Sequence, residues 1–118
     1  MKQLVELAFW FTGLSITVIS LLPSPYLPQA FDWWDKAQHA LAFLTLSILG
    51  LWAYPSNPYR MILCLLFFGL VIELAQAATG WRYGEWQDWL ADAIGVGVAY
   101  LCWTFLNLRR SQGQNSTQ

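Results

Sequence analysis

The sequence predicts an all-α polytopic membrane protein whose four transmembrane helices pack as an antiparallel bundle. Three observations carry that reading. Four apolar segments, at about 3 to 22, 36 to 53, 59 to 79 and 87 to 106, each approach the roughly 20 residues that cross a hydrocarbon core. Only 11% of the 118 residues are charged while 57% are hydrophobic, which is not a water-soluble composition. The connections are short and rich in proline or glycine, and tight connections favour antiparallel neighbours. Mean hydropathy is a modest +0.40 because tryptophan and tyrosine score poorly, although both favour membrane interfaces.

The first segment, MKQLVELAFWFTGLSITVISLL, places Lys2 before an apolar run, as a signal peptide does. Glu6 sits too early for one, and SPYLPQA lacks a small-x-small cleavage site, so the segment is expected to remain as a helix. The stiff, proline-rich LPSPYLPQAFDW leads into the second helix, and YPSNP breaks the chain before the third. TGWRYGEW carries two glycines ahead of the fourth. The domain is expected to cover residues 1 to 108, with 109 to 118 a polar, disordered cytoplasmic tail.

Lys2, Arg60, Arg109 and Arg110 fall on one side of the spans, against Lys36 and Arg82 on the other. Because basic residues resist translocation, both termini of this multi-pass protein are expected on the cytoplasmic side of the membrane. Aromatic belts agree, with Trp33, Trp34, Trp81, Tyr83, Trp86 and Trp89 outside and Trp52, Tyr54, Tyr59 and Trp103 inside. A net charge of −1 with no basic run argues against nucleic-acid binding. Cys64 and Cys102 lie inside apolar segments without a ligand spacing and read as packing residues.

Polar residues recur at one depth in three of the helices. His39 lies one turn below Asp35 on the same face, roughly 6 Å deeper at about 1.5 Å per residue. Glu73 lies about 9 Å below the outer end of the third helix, with Gln76 one turn above it. Asp88 and Asp92 repeat the four-residue spacing in the fourth. A charged side chain at mid-membrane costs about 2.5 to 3.5 kcal/mol on insertion scales, so these groups are expected to face one another. The stripes Gly69, Glu73, Gln76, Gly80 and Asp88, Asp92, Gly95, Ala99 join polar to small residues, as close-packed membrane helices do. Gly13, Thr17 and Ser20 offer a comparable face on the first helix. Asp35, Lys36, His39, Glu73, Gln76, Arg82, Asp88 and Asp92 are therefore the candidate pocket residues, opening to the extracytoplasmic face. Glu6 and Glu85 read as interface charges and Asp32 as a loop acid.

At these residues the chain resembles the VanZ-like family of small bacterial membrane proteins. The likeness rests on DKAQHALAF, with Asp35, Lys36 and His39; on IELAQ, with Glu73 and Gln76; on Arg82; and on DWLADAIG, with Asp88 and Gly95. Asp92 departs from the family pattern, which often has asparagine there. The resemblance implies a cell-envelope protein from a family named for accessory proteins associated with teicoplanin resistance.

Three functions compete on sequence grounds. The first is binding of an envelope lipid or lipid-linked glycan precursor, with Lys36 and Arg82 meeting phosphate and Trp33, Trp34 and Trp81 at sugar or glycerol level. The second is an enzyme in which His39, Glu73 and Asp92 act on a lipid phosphate or ester, either through a divalent metal shared with Asp88 or with His39 as general acid-base. No HExxH, P-loop or nucleophile elbow supports it, and the sequence leaves the cofactor open. The third is proton movement through Glu73 and Asp92, opposed by an inner half sealed by Leu65, Phe67, Phe68, Leu101 and Phe105, unless a homo-oligomer builds the path.

Overall fold

A computed structural model describes residues 1 to 23 and 32 to 115, without the side chains of 32, 33, 114 and 115. The proline-rich loop at 24 to 31, the Trp33 side chain and the tail at 116 to 118 lie outside the described residues. The described chain is all-α: α1 spans Lys2–Leu21, α2 Asp32–Ala53, α3 Pro58–Thr79 and α4 Trp86–Asn115. α1, α3 and α4 are long and apolar enough to cross a membrane. α2 is of similar length but carries Asp32, Asp35, Lys36 and His39 at one end.

Local chemistry sets the helix ends. α2 begins one turn earlier than expected, and Asp35 in its first turn complements the positive end of the helix dipole. Asn57 caps α3 by accepting the Arg60 N–H at 3.2 Å, and Pro58 occupies a position where its missing N–H costs nothing. Gly80 stops α3 at φ 78, a left-handed conformation that favours glycine. It is exposed, so it ends the helix rather than extending the small-residue stripe. α4 overruns its expected end by two turns, through residues assigned to a disordered tail. Arg109 lies 4.5 Å over the Phe105 ring and Ser111 Oγ–H donates to the Asn107 carbonyl, both contacts one turn long, and no proline interrupts the segment.

Helices adjacent in sequence run antiparallel, yet the most extensive packing joins the parallel pair α2 and α4. Gly95 makes this possible. A Cβ there would collide with the Ala40 carbonyl oxygen and stand 2.8 Å from Leu44 N, so the backbones touch where glycine has no side chain. α1 packs on α2 and α3 on α4, while α1 and α4 do not meet among the described residues. The core below this contact is Phe9, Phe43, Leu46, Leu65 and Val96.

Large apolar side chains line the outside, among them Leu7, Phe11, Leu14, Val18, Phe67, Leu74, Ile94 and Leu101. A water-soluble domain rarely exposes such a continuous surface, whereas a lipid-facing bundle requires it. The expected inner seal is corrected here: Phe67, Leu101 and Phe105 point outward, and Leu65 is joined in the core by Phe43, Leu46 and Val96. Cys64 and Cys102 are free and exposed on this outer surface.

A histidine and carboxylate cluster between three helices

The register of α2 against α4 decides the site. With Gly95 seated on Ala40 and Leu44, His39 falls level with Asp92, and Lys36 falls level with Glu85 and Asp88. His39 Nδ1 stands 3.0 Å from Asp92 Oδ1, and Nε2 stands 4.0 Å from Asp88 Oδ2. Lys36 Nζ stands 3.3 Å from Glu85 Oε2 and 3.5 Å from Asp88 Oδ1. α3 contributes from the other side, where Glu73 Oε2 accepts the Glu85 backbone N–H at 2.9 Å. Gly69 leaves room for Asp92, since a Cβ there would sit 3.0 Å from Asp92 Oδ2.

The cluster has two layers. In the inner layer Glu73 is 6% exposed, Asp92 1% and the His39 side chain 10%. The Lys36 and Glu85 side chains, at 37% and 50%, form its mouth together with exposed Asp35. Asp88 is buried between the layers. Carboxylate oxygens outnumber donors, and Glu73 Oε1 and Asp92 Oδ2 are buried without a hydrogen-bond partner. Single ligand atoms of His39, Glu73 and Asp92 lie within 4.8 Å of one another, as do those of Asp35, His39 and Asp88.

Two expected residues do different work. Gln76 is buried, but its Nε2–H donates to the Ser20 carbonyl at 3.0 Å. Trp81 Nε1–H does the same for Leu21 at 3.1 Å, so both serve carbonyls that the end of α1 leaves unpaired. Arg82 is half-buried and its guanidinium forms no ion pair among the described residues. Glu85, read from sequence as an interface charge, is a member of the cluster through both its side chain and its N–H. Its position three residues before Asp88 is the available sequence signal. Trp89 is not a belt residue: its Nε1–H reaches the Leu66 carbonyl in mid-α3 at 3.0 Å.

The family model for VanZ/LLP1 matches residues 3–107 of the chain. The chain belongs to the VanZ/LLP1 family. No curated protein and no solved structure matches it. In this VanZ/LLP1 protein Asp35, Lys36, His39, Glu73 and Asp88 lie in the cluster, and Gln76 ties α1 to it.

An apolar groove of about 430 Å³ runs between α1 and α2, lined by residues including Phe11, Ile16, Ile19, Leu41 and Ala42. Ser15 and Thr45 also line it, but their hydroxyls donate to the Phe11 and Leu41 carbonyls of their own helices. The groove therefore offers hydrocarbon contact and no free donor from these two residues. Leu41 and Ala42 lie within one turn of His39 in height on α2, and none of the cluster residues lines the groove.

Proposed function

We propose that this VanZ/LLP1 protein binds an envelope lipid or a lipid-linked glycan precursor, with the polar end at the cluster and the hydrocarbon chain in the α1/α2 groove. The reading is supported by an acceptor-rich polar cluster and an apolar groove that both use α2, the groove lined by Leu41 and Ala42 within one turn of His39 in height. Lys36 is already paired with Glu85 and Asp88, so recognition shifts from phosphate toward groups that donate hydrogen bonds, such as sugar hydroxyls or an ammonium. Arg82, with no acid beside it among the described residues, supplies the cation for a phosphate at the rim.

The cluster faces outward from the cytoplasmic membrane in this reading, with both termini inside. Lys2, Arg60, Arg109 and Arg110 lie at the opposite end of the bundle from Lys36 and Arg82, which supports the orientation. Tolerance to glycopeptides such as teicoplanin would follow if the bound molecule is a cell-wall precursor. Self-association in the membrane is compatible with the apolar outer surface.

A second reading, a small enzyme acting on a lipid phosphate or ester, is favoured by the His39–Asp92 pair at 3.0 Å. A carboxylate on one ring nitrogen orients a histidine for general acid-base work at the other. Extraction and mass analysis of lipid retained by protein purified in nanodiscs separates these readings. Retained lipid lost in both His39→Ala and Ala42→Leu, which fills the groove, is the expected result. Equal retention by wild type and both variants contradicts binding at this place, and a chemically altered lipid appearing only with wild type moves the assignment to the enzyme.

A further inference from the structure

We propose that His39, Glu73 and Asp92 form a binding site for a divalent transition-metal cation of the zinc or manganese type. One nitrogen and two carboxylate oxygens, drawn from three helices, lie within 4.8 Å of one another. At metal-ligand distances of about 2.1 Å, neighbouring ligands of a tetrahedral ion stand roughly 3.4 Å apart, so the trio needs only a small contraction. The 3.0 Å between His39 Nδ1 and Asp92 Oδ1 is a hydrogen-bond distance that opens to such an edge when a metal ion takes the place of the proton.

Two further observations point to a ligand. Glu73 Oε1 and Asp92 Oδ2 are buried and have no hydrogen-bond partner, a costly state for carboxylates that a bound cation relieves. The surroundings also hold the trio in position: Glu73 Oε2 is fixed by the Glu85 N–H at 2.9 Å, and Asp88 faces the second ring nitrogen of His39. Lys36, the nearby cation, is directed at Glu85 and Asp88. The alternative trio of Asp35, His39 and Asp88 is weaker, because Asp35 is exposed and Asp88 already has Lys36 beside it. An imidazole among the donors favours zinc or manganese over magnesium and calcium, which take all-oxygen shells.

The assignment does not depend on lipid binding, and its test uses none. Full-length protein in detergent is stripped with a chelator, dialysed against Zn2+ or Mn2+, and assayed for bound metal by elemental mass spectrometry and for Tm by tryptophan fluorescence. About one equivalent bound and a Tm that rises with metal concentration are expected. Glu73→Gln and Asp92→Asn should each reduce bound metal about tenfold or more, while Glu6→Gln, in a surface ion pair with Lys2, should not. Circular dichroism checks that the variants fold, and the wild-type titration stands even if they do not. Wild-type protein that takes up only trace metal with an unmoved Tm overturns the proposal, as does full binding by both folded variants.

Discussion

Gly95 and Gly97 lie two residues apart on α4, and alanine at each should have opposite effects. At Gly95 the new methyl collides with the Ala40 carbonyl oxygen and comes within 2.8 Å of Leu44 N, whereas at Gly97 nothing lies within 4 Å. The atoms met at Gly95 are backbone and cannot rotate away, so α2 must retreat by about 1 Å to restore ordinary contact. Overpacking of this kind costs about 1–3 kcal/mol. At Gly97 alanine instead gains the helix preference of about 0.5–1 kcal/mol over glycine. Unfolding of the detergent-solubilised protein by SDS, followed by tryptophan fluorescence, should therefore separate the two variants by about 1.5–4 kcal/mol. The same retreat lifts His39 from Asp92, so Gly95→Ala should also weaken whatever the cluster binds. Equal stability of the two variants would refute the close approach of α2 and α4, and with it the register that assembles the site.

Trp89→Phe removes the bond to Leu66 while keeping most of the ring, and should cost about 0.5–1.5 kcal/mol in the same assay; no change would return Trp89 to the interface belt. Glu85→Gln should cost under about 1 kcal/mol because its pair with Lys36 is half-exposed. Lys36→Met should cost more, about 1–3 kcal/mol, since it also leaves buried Asp88 without its cation; the reverse order would show that the Lys36–Asp88 contact is unimportant. A reporter fused after residue 118 should be active in the cytoplasm, and activity only outside would invert the topology.

The parts of this molecule legible in its sequence are those that repeat with the helix. Glu73 and Gln76 and the Asp88, Asp92, Gly95, Ala99 stripe are buried where periodicity placed them, because a polar group inside a membrane has nowhere else to go. What periodicity cannot supply is the pairing of faces. That α2 and α4 form the closest pair, although they run parallel and are not adjacent in sequence, depends on Gly95 meeting Ala40 and Leu44. Glu85 was missed because its N–H and carboxylate act at a helix start, outside any stripe. Arg82 is expected at the pocket mouth because it lies in the outer loop, yet its guanidinium forms no ion pair among the described residues. Phe67, Leu101 and Phe105 look like core by composition, but in a lipid-facing protein apolar character marks the outside as readily as the inside.

Whether the polar cluster holds a ligand or only holds helices together is decided most directly by native mass spectrometry of the protein released from lipid, comparing wild type with Glu73→Gln. A specific adduct in the wild type that is lost from the variant is the predicted result, its mass distinguishing a metal ion from a phospholipid or a prenyl-linked precursor. Bare protein in both, with the variant less thermally stable, would mean that His39, Glu73 and Asp92 serve only to pin α2, α3 and α4 together.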